Sequence, residues 1–339
     1  MTDLSRPANP DPEPAHVCGL PAVPPPHRPG ADGRVAGGGA RRREAGGLGS
    51  VPAAMLTPAA LREQIGAIRA RTGSPVNVNF FCHVPPAPDS RREAAWRAEL
   101  AADYAGAGVA PPEPGGGPGR APFDAGMAEV VEETRPEVVS FHFGLPEESL
   151  LARVRRTGAK IYSSATSVAE ARWLDARGVE AVIAQGAEAG GHRGMFLTDD
   201  VDAPPGLFAL LPQVVDAVRV PVVAAGGIAD GRGIAAAFVL GARAVQIGTA
   251  YLKTPQATIS PVHRRALAAA ADDATRLTNL FTGRPARGLL NRFMRDHGPL
   301  NSRAPPFPLA ASAVAPFRAH YEAQGSGIIR RCGRGRRPP

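Results

Sequence analysis

The sequence predicts an α/β fold in which parallel strands alternate with helices. Seven short apolar runs follow residue 44, and segments with helical patterning separate them. The runs are continuously apolar rather than alternating, which is typical of strands buried on both faces. A strand–helix–strand repeat at this spacing implies parallel strands joined by right-handed crossovers. A doubly wound sheet and a (β/α)8 barrel both fit, and seven strands are one short of a barrel.

The helices between these strands carry recognisable start and stop signals. Thr57 is a suitable N-cap before Pro58, and Ser167 with Glu170 has the pattern of a capping box. Gly178 is expected to end the helix that Ser167 opens. Together with the apolar runs, these helix signals place the expected strands at 46–51, 76–81, 138–143, 160–165, 181–186, 220–226 and 244–249.

The two ends of the chain differ from its middle. Residues 1–43 are rich in Pro and Gly without strand or helix periodicity, so we expect them to be disordered. Residues 44–324 are expected to form the folded body, and residues 325–339 a basic disordered tail. An eighth strand would have to precede Gly46, where no strand pattern is found. Within the body we expect loops at 109–121 and 283–308, with a short helix near 289–294.

Composition and charge exclude several classes of protein. No apolar run reaches the length of a membrane span, and the N-terminus has no secretory signal. Three scattered cysteines fit neither a disulfide framework nor a zinc site, so a cytoplasmic protein is expected. The net charge of +8 comes mostly from the ends, where 325–339 hold five Arg and no acid. A nearly neutral body does not suggest nucleic-acid binding.

Two glycine-containing blocks suggest a phosphate site. One predicted strand ends at Gly226, with Gly227 directly after it, and the next ends at Gly248 and Thr249. Glycine allows backbone N–H groups to approach an anion, and a helix N-terminus favours negative charge. In barrels the loops after the last two strands often bind phosphate. The alternative is that these glycines only make tight turns.

The most specific stretch is AQGAEAGGHRG at 184–194, directly after a predicted strand. Its small residues leave room for a flat ring and a substrate beside His192. Histidine is the side chain best suited to accept a proton near neutral pH. The alternative is a histidine that only stabilises its own loop, but the glycine-rich setting favours a catalytic base.

A third group lies at or near strand ends. Asn77 and Asn79 sit in a buried strand and need hydrogen-bond partners, one of which could be a ligand. Cys82, His83 and His142 follow at this strand and the next. Because none of these residues has the spacing of metal ligands, we expect them to line a pocket mouth and predict no metal.

Several stretches together resemble the nitronate monooxygenase family, also called 2-nitropropane dioxygenases. They are EAGGLGS, VNVNFFCH, AQGAEAGGHRG, PVVAAGGIADGRG, AVQIGTAYL and FTGRPARG, and the resemblance covers roughly 44–324. It implies an FMN-dependent TIM (β/α)8-type barrel with a small insertion and an extended C-terminal loop. It further implies oxidation of alkyl nitronates or nitroalkanes by oxygen to a carbonyl compound and nitrite. A small nitro compound and oxygen would then be the partners, and a homo-oligomer is compatible with the family.

The same resemblance implies roles for individual residues. His192 would be the catalytic base that removes the α-proton of a nitroalkane. Ser164 and Thr166 are further candidates, and the phosphate would lie on Gly227, Gly248 and Thr249. The residues expected to bind FMN are Asn79, Gln185, Gly190, Gly191, Gly226, Gly227, Gln246, Ile247, Gly248 and Thr249.

The resemblance ends at both termini. The residues before EAGGLGS lack the family's first strand, so we expect a barrel without a proper first strand. The residues after 325 also depart from the family, and we hypothesise that both ends are translated out of frame. Two alternatives follow: an FMN-dependent enoyl-acyl-carrier-protein reductase, and an impaired relative that binds FMN poorly.

Overall fold

The computed structural model describes residues 47–113 and 120–325, together with the backbone of residues 16–19. The remaining predictions for residues 1–43, the centre of the loop at 109–121 and the basic tail after residue 325 lie outside the described residues. Within the described part of the chain, no helix combines the length and apolar character needed to span a membrane.

Eight parallel strands close into a barrel, which confirms the predicted TIM-barrel-type α/β fold. Seven of them coincide with the predicted apolar runs. Three further strands form a separate antiparallel sheet in the order β10-β11-β7. The barrel strands are, in order around the barrel, β1 (His16–Gly19), β2 (Leu48–Pro52), β3 (Val76–Phe81), β4 (Val138–His142), β5 (Lys160–Ala165), β6 (Ala181–Gln185), β8 (Val222–Ala225) and β9 (Ala244–Gln246).

The first strand corrects one expectation from the sequence. The backbone of His16–Gly19 pairs with β2 at Leu48 and with β9 at Ala244, so it fills the first-strand position, for which the sequence shows no strand pattern. Pairing on two open strand edges uses only backbone N–H and C=O groups. A four-residue strand can therefore close a barrel without the long apolar run that identifies the other seven.

Helices follow most barrel strands and begin at the predicted signals. The Thr57 hydroxyl accepts a hydrogen bond from Ala60 N, and the Ser167 hydroxyl accepts one from Glu170 N. The helices are α1 (Pro58–Arg69), α2 (Ser90–Glu99), α3 (Ala101–Ala107), α4 (Ala125–Thr134), α5 (Glu148–Arg156), α6 (Val168–Asp175), α7 (Leu207–Ala217), α8 (Gly231–Val239), α9 (Thr249–Leu252), α10 (Pro261–Ala268), α11 (Arg292–His297) and α12 (Ala310–Ala323).

The main core lies between the strands and the surrounding helices. It is built largely from Val, Ile, Leu and Ala side chains, as a sequence with few aromatic residues requires. Leu61 and Ile65 of α1 are fully buried in it, and Ile68 packs against it, as their spacing along one helix face predicts.

A second, smaller core joins helices α2 and α3 to the C-terminal part of the chain. Trp96 and Tyr104 from α2 and α3 are buried in one cluster with Phe293 and Phe317 from α11 and α12. The loop expected at 283–308 is only partly a loop, because residues 286–289 form strand β11 (Ala286–Leu289). Strand β11 pairs with β10 (Thr275–Thr278) and with β7 (Gly191–His192), so backbone hydrogen bonding fixes a segment whose Arg- and Gly-rich sequence lacks a strand pattern.

Candidate active site

The loops after β6, β8 and β9 leave the barrel at the same end. Gln185 is in register with Ala225, and Ala225 is in register with Gln246, so these three strands end side by side. The carboxyl-terminal ends of barrel strands are where active sites form in this architecture. The predicted residues at 185–192, 226–227 and 246–249 are therefore brought to one rim.

Close contacts at this rim require glycine. A Cβ atom on Gly190 would lie 3.0 Å from Thr249 Oγ1, and one on Gly226 would lie 3.1 Å from Ala189 N. Gly226 also has a φ of 118°, in the region that L-residues avoid. A larger residue at either position would crowd the neighbouring loop, so glycine lets the loops after β6, β8 and β9 lie close together; we call the part of the rim that they form the cradle.

The segment after β9 offers a ligand its backbone groups and one hydrogen-bond acceptor that has no partner among the described residues. Ile247 is buried in the main core, so only its backbone can face a ligand. Thr249 is exposed and begins the short helix α9 after Gly248. The Gln246 Oε1 atom is buried and has no hydrogen-bond partner among the described residues. An unpaired buried acceptor is costly, so this atom is suited to receive a hydrogen bond from a ligand.

Asn77 and Asn79 are both buried in β3 and share one partner. Each donates from Nδ2 to the Ser140 hydroxyl, over 2.8 Å from Asn77 and 2.9 Å from Asn79. Asn77 also donates to Ser50 Oγ, and its Oδ1 atom has no partner among the described residues. Neighbouring strands thus satisfy much of the hydrogen-bonding demand that the sequence assigned to a ligand.

Gln185 holds the loop that carries His192. Its Nε2 donates to the His192 carbonyl oxygen over 3.0 Å, and its Oε1 accepts from Gly194 N over 2.7 Å. The side chain predicted to bind FMN therefore already makes two bonds with the loop at 192–194. Its cofactor role remains a prediction, and its positioning role was not predicted.

His192 lies in β7, half-buried, among three phenylalanine rings. Its ring centroid is 5.3 Å from that of Phe307, 5.8 Å from that of Phe81 and 6.1 Å from that of Phe143. Its Nε2 atom is 2.9 Å from the hydroxyl of Thr282. We call Phe81, Phe143 and Phe307 the phenylalanine cage; it presents an apolar surface beside the imidazole.

The environment keeps His192 neutral. Burial lowers the pKa of His192 well below its ordinary value, and the nearby Arg120, His142 and Arg284 lower it further. The imidazole is therefore unprotonated at neutral pH and has a lone pair available to accept a proton.

The other candidate histidines also contact this cage. His142 donates from Nε2 to the His192 carbonyl oxygen over 3.2 Å, while its Nδ1 lies 2.5 Å from Ser164 Oγ. His83 packs against Phe307 with ring centroids 4.6 Å apart. Burial is the main cause that lowers the pKa of each of these histidines to about 4. Both are neutral at pH 7.

Two of the remaining candidates are not part of this arrangement of rings. The Cys82 thiol is half-buried, and burial raises its pKa well above the usual range, which suppresses its nucleophilicity. Thr166 is fully buried and donates from its hydroxyl and its backbone N to Glu170. Within residues 47–113 and 120–325, no three His, Cys, Asp or Glu side chains are grouped to hold a metal ion.

Sequence reasoning missed three residues around His192 and its loop. Thr282 bonds the His192 ring, and the Arg284 guanidinium lies 4.1 Å from the centroid of the Phe143 ring. Arg193 is buried and donates to the carbonyl oxygens of Gly186 and Ala187. The signal for Thr282 and Arg284 was present in the FTGRPARG motif, which identified the family but not the role of its residues.

The match to a known protein family covers nearly all of this site. The family model described as nitronate monooxygenase matches residues 39–327, which include every strand and loop of the site except the first strand. The chain belongs to the nitronate monooxygenase family. It is accordingly an oxidoreductase with a TIM-barrel-like fold.

Curated relatives of the nitronate monooxygenase family match most of the chain. A nitronate monooxygenase from Paraburkholderia phytofirmans is 39% identical over 283 residues, covering 83% of this chain and 77% of the relative. A nitronate monooxygenase from Pseudomonas aeruginosa is 38% identical over 312 residues, covering 84% of this chain and 86% of the relative. The similarity thus spans whole proteins rather than a shared motif.

Two solved structures are similar to this chain over most of its length. A nitroalkane oxidase from Streptomyces ansochromogenes matches with a TM-score of 0.78 and 38% identity, over 92% of this chain and 88% of that chain. FabK from Thermotoga maritima matches with a TM-score of 0.59 and 29% identity, over 83% and 72% of the two chains. The nitroalkane oxidase is therefore more similar to this family member in both sequence and structure.

Proposed function

We propose that this nitronate monooxygenase family member uses FMN to oxidise alkyl nitronates and nitroalkanes with oxygen, giving a carbonyl compound and nitrite. The observation that carries the proposal is a neutral, half-buried imidazole at the carboxyl-terminal rim of the barrel, enclosed by the phenylalanine cage. The same rim bears a glycine-lined cradle formed by three loops.

The cradle fits FMN. Backbone N–H groups near Gly227, Gly248 and Thr249 would hold the phosphate, because glycine permits the close approach that an anion requires. Gly190, Gly191 and Gly226 would place no side chain against the rest of the cofactor, and Gln246 Oε1 offers an acceptor without a partner among the described residues. When bound, FMN supplies electron transfer between the nitronate and oxygen.

The protein's own contribution is to remove the proton. His192 would take the α-proton of a neutral nitroalkane, and the electron pair of the broken C–H bond would move into the nitro group. Arg120 and Arg284 both lower the pKa of His192, so their positive charges act on the space where the nitronate charge develops. The phenylalanine cage excludes water and accommodates an alkyl substituent.

The deciding experiment measures flavin, nitrite and cofactor demand on the purified full-length chain. We expect bound FMN and nitrite release from an alkyl nitronate and oxygen without NADH. NADH consumption with an enoyl thioester, and no nitrite, would instead identify an enoyl reductase. A protein that takes up no flavin would identify an impaired relative.

The His192→Ala variant tests the role of the base. We expect it to retain flavin but to lose turnover of neutral nitroalkane by about 10²–10⁴-fold, the usual contribution of a general base. Pre-formed nitronate has already lost its proton, so its oxidation should be affected far less. His320→Ala is the matched control, because His320 bonds Gln324 within its own helix. Equal loss on both substrates would refute the base role.

A further inference from the structure

Only one ring nitrogen of His192 is engaged by the described residues. Nε2 lies 2.9 Å from Thr282 Oγ1, whereas Nδ1 makes no hydrogen bond to any residue in 47–113 or 120–325. The hydrogen bond joins two segments 90 residues apart in the sequence. The nitrogen that accepts the proton is therefore the one that Thr282 leaves free.

The position of the imidazole is fixed by its backbone. His192 pairs with Ala286 of β11, and Thr282 lies in the loop that leads into this strand. The His192 carbonyl oxygen accepts two further bonds, from Gln185 Nε2 and from His142 Nε2. The same small sheet therefore holds the backbone of His192 and one end of the loop that carries the Thr282 hydroxyl.

The hydroxyl of Thr282 is buried and lies near two possible hydrogen-bond partners, but it can donate to only one of them. It lies 3.4 Å from the Arg284 carbonyl oxygen, which can only accept, and 2.9 Å from His192 Nε2. If Thr282 donates to Arg284, it accepts from Nε2–H, and the lone pair of the imidazole is on Nδ1. This arrangement persists when Nδ1 gains a proton, because both ring nitrogens of an imidazolium are donors.

We propose that Thr282 is a positioning residue that holds His192 in its Nε2–H form, so that Nδ1 removes the proton of the nitroalkane. The inference rests on the proposed function. In this step the C–H bond breaks, the Nδ1–H bond forms, and the electron pair becomes the nitronate charge. The Nε2–H···Oγ1 bond strengthens at the same moment, since its donor becomes charged.

The surroundings of His192 make this hydroxyl important. The titratable and charged groups that act on the imidazole are Arg120, His142, Arg284 and His83, and each of them lowers its pKa. The described residues place no carboxylate on the ring, so a neutral hydroxyl is the acceptor that stabilises the imidazolium. Removing it should lower the pKa of His192 further and weaken the base.

The test compares Thr282→Val, which keeps the shape and removes the hydroxyl, with Thr282→Ser, which keeps the hydroxyl. With neutral nitroalkane we expect kcat/KM to fall about 10–100-fold in Thr282→Val and to recover to within about threefold in Thr282→Ser, within the range of general-base effects. The acidic limb of the pH profile should move to lower pH in Thr282→Val. Turnover of pre-formed nitronate should stay close to wild type. Thr134→Val is the matched control, because its hydroxyl bonds a carbonyl within helix α4.

A second readout does not depend on turnover. Nitrogen-15 NMR of the histidine rings in the wild-type holoprotein, assigned with His192→Gln, should show a protonated Nε2 and an unprotonated Nδ1. The opposite protonation, or equal losses on both substrates in Thr282→Val, would overturn the inference. A wild-type protein that releases no nitrite would instead refute the proposed function, and the NMR spectrum would still report the form of His192.

Discussion

The buried carboxylate of Glu170 connects the barrel to the loop that follows His192. Its Oε2 accepts from Thr166 N over 2.6 Å and from Thr166 Oγ1 over 2.8 Å, and its Oε1 accepts from Phe196 N over 2.6 Å and from Leu197 N over 3.1 Å. Glu170 is fully buried. We therefore predict that Glu170→Gln, which barely changes the shape, strongly destabilises the protein.

The expected magnitude follows from the four bonds. An amide replaces one of the two oxygens with an NH2 group, so that two of the four donors would face another donor. Each hydrogen bond to a charged group contributes about 1.5–3 kcal/mol, so two lost bonds predict a loss of about 3–6 kcal/mol. Domains are stable by only about 5–15 kcal/mol, so this is a large fraction of the total.

Urea unfolding provides the assay, followed through tryptophan fluorescence, to which Trp96 and Trp173 both contribute. The Trp173 ring packs on Phe196 with centroids 5.1 Å apart, so part of this signal reports on the segment that Glu170 holds. With a slope of about 3 kcal/mol/M, the midpoint should fall by about 1–2 M. Glu133→Gln is the control, because Glu133 pairs with Arg62 at the exposed surface and should leave the midpoint almost unchanged. Equal midpoints for the two variants would refute the reasoning.

Two further predictions concern the cradle and the second core. Gly190→Ala places a Cβ atom 3.0 Å from Thr249 Oγ1. We therefore expect FMN to bind at least about tenfold more weakly by fluorescence titration, a change of about 1.4 kcal/mol. Gly66→Ala, where nothing lies within 4 Å of the added Cβ, is the control, and equal FMN affinities of the two variants would contradict a role of the cradle in binding. The hydrogen bond to Asp103 raises the pKa of His297, so this contact stabilises the fold fully below pH ~6.5 and is lost as the pH rises through the folded pKa. Urea midpoints should therefore fall less steeply with rising pH in His297→Gln than in wild type, and parallel curves would count against the contact.

Much of the fold was predictable because its strands are buried on both faces. Seven apolar runs are the direct consequence of that burial, and each corresponds to a barrel strand. His16–Gly19 was not predictable in this way, since its pairing uses the backbone alone. Strand β11 was missed for the same reason: Ala286–Leu289 carries Arg and Gly, and its register is set by partners in β10 and β7.

Those parts of the candidate site that lie within one short stretch of sequence were predictable. Gly190, Gly226 and His192 stand in short glycine-rich stretches directly after strands, and the structure brings these stretches to one rim. The hydrogen-bond partner of the His192 ring was not predictable, because Thr282 is 90 residues distant from His192 in the sequence. Gln185 was assigned to the cofactor, whereas its amide bonds the loop at 192–194, a role that only geometry could identify.

The surroundings of His192 also favour one kind of substrate. Burial and neighbouring cations lower the pKa of His192, and the acceptor on its ring is the neutral hydroxyl of Thr282. Such a base is available at neutral pH but weak, and proton transfer to a weak base is effective only from an acidic carbon. A nitroalkane meets this condition, because its α-proton leaves a charge that the nitro group carries. In the proposed reaction Arg120 and Arg284, which lower the pKa of His192, would also stabilise that charge, so a weak base would be offset by a stabilised product anion.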